Sequence, residues 1–391
     1  GHFVDAQLIN YGEVYLFADL DLQGNTGSNH SNFGEIFLIS GSTLTILSEG
    51  FVNEQTGTII GGGLIDSDDG VTFTNAGYLE PGGTESAGVL QFAGPGLDLT
   101  STGTVRLDIF STTSHDEIQV LGTLNVGGNV QLNFVSSDGL INGGTIDSVI
   151  EYSTLGTVGA LNVGHNLGFG YDVTVVDDSA PETNHYDIVV TPPDYDNSAI
   201  IGDDWSNSVT WDGGSTPAAT DIVLISTHAV THNAADTDTV TALFLQNGGS
   251  LEISNGTLVI QEQSRVDSSS DLNLNSNGTS TGILQVENEL IVEGTMNWDN
   301  GVITTTGTGV LNIIGTLYLT PGADTEVDAT IENNHEIYIA GGGTIDGSSS
   351  ILNRGELFVT DTTNFNLPIT NKSGGVFSVT PGSLSNITHS Q

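Results

Sequence analysis

Three groups of carboxylates in this sequence have types and spacing suited to chemistry. Asp66, Asp68 and Asp69 stand in DSDDG, Asp194 and Asp196 in DYDNS, and Asp203 and Asp204 follow shortly after. Carboxylates at alternate positions in loops containing Gly or Asn suit hard cations, which take several oxygens from a flexible backbone, and calcium is the ion implied. Neither region has the spacing of an EF-hand loop or of the nonapeptide calcium repeat. Solvated turn aspartates are the alternative, and the group around Asp194 to Asp204 is the stronger candidate for an ordered ion. The adjacent pairs Asp68–Asp69, Asp177–Asp178 and Asp203–Asp204 also offer the two carboxylates that glycoside hydrolysis requires. No His or basic residue recurs beside them, so the sequence does not read as an enzyme. His228 and His232 invite a metal reading, but residues four apart along a strand are about 13 Å apart, and surface histidines are the simpler expectation. Asn-x-Ser/Thr sequons at Asn29, Asn255, Asn277, Asn371 and Asn386 are compatible with glycosylation, although a chain this rich in Asn, Ser and Thr contains several by composition alone.

Charge narrows the partners. The 391 residues hold 48 Asp and Glu against four Lys and Arg (Arg106, Arg265, Arg354 and Lys372), a formal net charge of −44. Such a chain cannot neutralise phosphates, which argues against nucleic acid, and it has no attraction to an anionic membrane surface. No apolar run is long enough to span a bilayer as a helix. There is no cysteine, which accords with an extracellular or cell-surface location without requiring one. The sequence starts at Gly1 without a Met or signal peptide, and reads as a mature product or a piece of something longer.

The elements that carry these residues follow from a repeat. NYGEVYL at Asn10 returns as NFGEIFL at Asn32, and in looser form at Asn53 and Asn75, at intervals of 22, 21 and 22 residues. It returns again as NNHEIYI at Asn333, NRGELFV at Asn353 and NKSGGVFSV at Asn371, 20 and 18 residues apart. A period near 20 with a polar corner and a short alternating run marks a solenoid, whose single coil cannot close its own core. The fold class is therefore all-β, a parallel β-helix or β-solenoid of about 18 coils at that period, in two solenoid segments joined by a short linker. Asn and Gly are expected to make the corners through left-handed backbone. Residues 1–190 read as one segment ending in a closing cap, 191–204 as an acidic, Pro-containing linker, and 205–391 as a segment that opens with a Trp205–Trp211 cap and ends in open coils.

A family resemblance adds to this. ELIVEGTMNWDNGVITTTGTGVLNIIGTLYLTPG and the coils after it resemble the β-helical repeats of large bacterial surface proteins, namely autotransporter passengers and filamentous-haemagglutinin-like adhesins. TNAGYLEPGGTESAGVLQF and DEIQVLGTLNVGGNVQLNF resemble the final coils of such passengers, and the Trp205–Trp211 segment resembles their opening motif. The resemblance implies a right-handed coil and an extracellular structural or adhesive role. The sequence contains no membrane-embedded translocator, a departure that leaves the export route open.

On the outward face the same period aligns Glu13 with Tyr15, Glu35 with Phe37, Glu336 with Tyr338 and Glu356 with Phe358. Stacked coils would turn these into ladders that either stabilise the sheet or mark a lateral contact. The function this implies is a fibre, sheath or stalk whose copies meet head-to-tail, with lateral contacts at Tyr15, Phe37, Tyr338 and Phe358. The rival reading is a secreted β-helix that binds or cleaves carbohydrate. A groove lined by Asp, aromatic and basic residues on one sheet would favour it.

Overall fold

Runs of three to five alternating residues are too short for a stable two-stranded ribbon, and here each pairs in register with a run one coil away. In the computed structural model, which describes residues 2–24, 27–68, 70–83, 86–135, 143–178, 184–275, 281–305, 309–320, 325–361, 363–372, 374–380, 384–386 and 389–390, the chain is a parallel β-solenoid. Its described residues form two units: residues 1–166 with 171–192, and residues 167–170 with 193–391. Together they carry about 16 turns.

In unit 2 the coils form three parallel sheets of ten, eight and eight strands. Val223 faces Leu243, Leu251 faces Leu272, and Leu258 faces Leu284, each one coil on. Alternation puts one side of every strand inward, so Leu, Ile and Val stack into a continuous buried column. At one end of that column Trp205 and Trp211 are buried edge to face at 5.0 Å, and Trp211 Nε1 donates to the Trp205 carbonyl at 2.9 Å. Of residues 191–204, expected as a linker, Thr191 ends the strand His185–Thr191 of unit 1, and residues 193–204 are woven into this unit. Asn197–Ser198 pairs with Ile222–Ser226, Asp204 bridges to Thr231, and the Tyr195 ring meets Phe244 at 5.8 Å.

Unit 1 starts in the same way, with Glu13–Leu16 in register on Glu35–Leu38 and that strand on Thr58–Gly61. Its strands then lengthen. Thr104–Ser111 has 8 residues, Glu117–Phe134 has 18 and Gly144–His165 has 22, with register shifts where the longer two pair. Beyond them the pairing turns antiparallel, with His185–Thr191 between Gly144–His165 and Asp172–Asp178.

The corners differ from the sequence expectation. None of the repeat asparagines Asn10, Asn32, Asn53, Asn75, Asn333 and Asn353 has left-handed backbone. They are buried at strand ends, and their amides form ladders along the coils. Asn10 Nδ2 donates to Asn32 Oδ1, Asn32 to Asn53 and Asn53 to Asn75, each at 2.8 Å. In unit 2, Asn333 donates to Asn353 and Asn353 to Asn371, each at 2.6 Å. An asparagine carries both donor and acceptor, so identical side chains one coil apart satisfy each other. Their spare protons reach corner carbonyls such as Gly57 O and Tyr78 O. The repeat glycines Gly34, Gly57, Gly77 and Gly355 allow close approach rather than unusual φ. A Cβ on Gly57 would lie 2.2 Å from the Asn32 carbonyl oxygen, and one on Gly355 would lie 2.2 Å from that of His335.

Candidate functional site

The lengthened strands of unit 1 place a polar groove on one outer face. Val105, Leu107 and Ile109 point into the core, so Thr104, Arg106 and Asp108 must point out. Register sets Thr104 beside Asn129, Arg106 beside Gln131 and Asp108 beside Asn133. The next coil adds Asn162 beside Asn129 and Gly164 beside Gln131, and the preceding coil adds Tyr78 beside Thr104. Two adjoining clefts result, of about 340 and 470 Å³, and Arg106 and Gln131 line both. A Cβ at Gly164 would lie 2.4 Å from Gln131 Oε1, so a larger residue there would displace that amide.

Arg106, the sole Lys or Arg of unit 1, lies 4.1 Å over the centre of the Tyr78 ring and pairs with Glu80. Amides order the remaining wall. Asn166 Nδ2 donates to Asn133 Oδ1 at 2.8 Å, Asn133 Nδ2 to Asp108 Oδ1 at 2.9 Å, and Asn162 Nδ2 to Asn129 Oδ1 at 3.3 Å. Beneath them Asp116 is 1% exposed and accepts backbone N–H groups on both oxygens, from Gly88 and from Asp108, each at 2.9 Å. Burial pushes the Asp116 carboxyl up to about 7 against the pull of those two bonds, and the neighbouring charges of Asp108 and Glu80 add to the rise. Asp108 is also raised, first by burial, with the Asn133 amide opposing and Glu80 contributing. The groove thus offers a guanidinium, carboxylates and fixed amides, which is hydrogen-bonding chemistry for a hydroxyl-rich ligand. The open face of Tyr78 is already covered by Arg106, so ring stacking contributes little on that side.

The residues singled out from the sequence lie elsewhere. Asp66 is half-buried on the strand Leu64–Ser67, Asp68 is exposed, and Asp69 lies outside the described residues. Asp194 is exposed. Asp196 accepts from Ile222 N at 2.9 Å, Asp203 from Asn207 Nδ2 at 2.7 Å, and Asp204 from Ser206 N and Oγ at 2.8 and 2.6 Å. Burial alone would raise the Asp204 carboxyl, but bonds from Ser206 and Asn233 and the nearby His232 outweigh it and hold it below its ordinary value. Asp196, Asp203 and Asp204 thus fasten turns and strand starts. His232 is not a surface histidine. It is fully buried, with Nδ1 2.9 Å from the Asn255 carbonyl and Nε2 2.9 Å from Asp238 Oδ2. Both ring nitrogens are thereby partnered, and the bond to Asp238, six residues on, offsets part of the cost of burying the imidazole.

Of the sequons, Asn29 is exposed and Asn255 is half-buried, its amide donating to the Asn233 carbonyl. Asn371 is held in the amide ladder, its Nδ2 donating to Gly375 O. Asn277 and the Asn386 side chain lie outside the described residues.

The aromatic columns form with the expected phase. Tyr15 is half exposed and stacks on Phe37 at 4.5 Å and 4°. Tyr338 stacks on Phe358 at 4.9 Å and 12°, and Tyr318, which lies outside the asparagine-led repeats, extends that column at 5.4 Å and 17°. The ring faces cover one another along the stack and present edges outward, which suits sheet stabilisation better than a sugar platform.

The groove residues Glu80, Arg106, Asp108, Asp116, Gln131 and Asn133 were missed from the sequence. The available signal was the pair TVRLDIF and NVQLNF, two alternating runs of the same phase 25 residues apart. No protein-family model matches this chain, and no curated protein does.

Proposed function

We propose that this chain is an extracellular, structural or adhesive β-solenoid whose adhesion runs through the unit 1 groove, and that the groove binds a neutral glycan. The groove itself carries this reading: Glu80, Arg106 and Asp108 alternate with Gln131, Asn133 and Asn129 on one sheet, a density of orientable donors and acceptors suited to sugar hydroxyls. Glu80 and Asp108 stand against one guanidinium, which Glu80 already pairs, and this makes the groove inhospitable to uronates and sulfated sugars. Binding without cleavage is the better reading, because both oxygens of the buried Asp116 are held by backbone N–H groups, which removes one of the two carboxylates that cleavage needs. A general acid or base needs a free oxygen in reach of substrate.

The regular coils would serve as the stalk, in keeping with the resemblance to bacterial surface repeats. Copies of the chain, meeting head-to-tail or laterally, are the partners in that role. Sedimentation velocity over a wide concentration range tests self-association, and an unchanging monomer would remove it. For the groove, calorimetric titration with neutral and uronate-containing oligosaccharides is the test. Saturable binding of the neutral set alone is expected. Binding that Arg106→Ala leaves unchanged would contradict the assignment.

A further inference from the structure

The antiparallel hairpin of unit 1 gathers a second constellation. Asp178, near the end of Asp172–Asp178, pairs directly with His185 at the start of His185–Thr191. Asp187 lies two residues on, so period two puts it on the same face. His185 Nε2 is 3.1 Å from Asp187 Oδ1 and 3.9 Å from Asp178 Oδ2, and the three ligand atoms lie within 4.8 Å of one another. Among the described residues this is the one group of three His, Asp or Glu side chains so convergent.

We propose that Asp178, His185 and Asp187 bind a divalent transition-metal ion of the zinc class. Ligands about 2.1 Å from a tetrahedral centre stand about 3.4 Å apart, close to the spacing of these atoms before any ion draws them in. The donor set, one imidazole and two carboxylates, suits zinc, whereas calcium takes oxygen ligands alone.

The surroundings hold the ligands in place. Asp187 is 8% exposed, and its Oδ1 accepts the Ser148 backbone N–H at 2.8 Å. Ser148 reaches it from a register shift in the neighbouring strand with a left-handed φ of 59°. That backbone conformation is costly for a residue with a side chain, and a ligating carboxylate oriented by such an outer bond is typical of metal sites. Glu151 pairs across from His185 on the other side. The sole guanidinium of the unit is held by Glu80 in the groove, which leaves the carboxylates around His185 without a fixed cation. A cleft of about 480 Å³ lined by Ser148, Glu151, Tyr152, Asn184 and His185 gives solvent access beside the imidazole. The competing arrangement is a protonated imidazole bridging the two carboxylates, with no ion.

Titrating metal-free protein with zinc chloride at pH 7.5 separates the two. One saturable site per chain is expected, with affinity at least tenfold lower in both Asp178→Asn and His185→Gln, and calcium chloride should not displace the zinc. Asp178 is exposed, so its variant keeps the fold even if His185→Gln does not. Absence of saturable binding, or equal affinity in wild type and Asp178→Asn, would overturn the proposal.

Discussion

Unit 2 repeats a short coil with little variation, while unit 1 begins with the same coil and then departs from it. In unit 2 the strands stay at two to five residues, pair in parallel throughout and enclose one aliphatic column. In unit 1 the strands grow to 18 and 22 residues, slip register and turn antiparallel. The groove and the Asp178–His185–Asp187 group both lie where regularity is lost. A regular coil aligns like residues in columns, and a column of identical side chains stabilises but offers no varied surface. Longer strands set Arg106, Gln131 and Gly164, three different residues, onto one face beside Tyr78. Local rules are broken where a site is built.

The sharpest way to probe the regular half is its core. Trp298→Ala should cost unit 2 about 4 kcal/mol, because the indole is fully buried and donates to the Gly301 carbonyl. All three tryptophans lie in unit 2, so fluorescence of Trp205 and Trp211 during denaturation follows that unit alone. A loss within about 0.5 kcal/mol, the range of ordinary surface changes, would show a looser column.

The asparagine ladder is what the units share. Asn53→Ala and Asn353→Ala should each cost about 2–3 kcal/mol, since each strands several buried acceptors. Hydrogen exchange in the surrounding coils measures both. Unequal costs would mean that the common corner is not equally important in the two halves.

Protonation separates the halves again. The Asp116 pKa is raised in the fold, so its contribution to unit 1 stability is full below about pH 4 and is lost as pH rises through about 7. The lowered Asp204 in unit 2 acts in the opposite sense, present at neutral pH and lost as acid protonates it. His30, His115 and His165 of unit 1, held below 6.5 chiefly by burial, add stability that is complete above pH 6.5 and falls below it. Carbon-13 carboxyl titration should place the Asp116 midpoint near 7. A midpoint near 4 would mean that the two backbone bonds overcome burial.

The smallest effect belongs to the columns. Tyr338→Ala should cost about 1 kcal/mol at most, the worth of a stacked cross-strand pair, and leave glycan binding unchanged. Thermal denaturation together with the calorimetric titration reads both.

The repeat and its phase were legible because alternation and a period near 20 are local patterns; Tyr15, Phe37, Tyr338 and Phe358 point outward as their spacing implies. The role of the repeat asparagines was not. In isolation an Asn beside Gly reads as a left-handed corner, and only a second Asn one coil away turns it into a buried donor and acceptor. His232 read as exposed because its partner Asp238 follows on the next strand. The groove was hidden for a related reason: Glu80, Arg106 and Gln131 meet through register between coils, and no single stretch contains the set. Asp196 and Asp204 were legible as polar loop residues, but their bonds to Ile222 N and to Ser206 were not, because turn-fastening and cation-binding aspartates share the same loops.

Hydrogen–deuterium exchange along the whole chain, with and without a neutral oligosaccharide, tests most directly whether binding belongs to the irregular half. Protection is predicted at residues 78–80, 104–108, 129–133 and 162–166, with none over the coils around Tyr318, Tyr338 and Phe358. Protection confined to those coils, or spread evenly over both units, would contradict it.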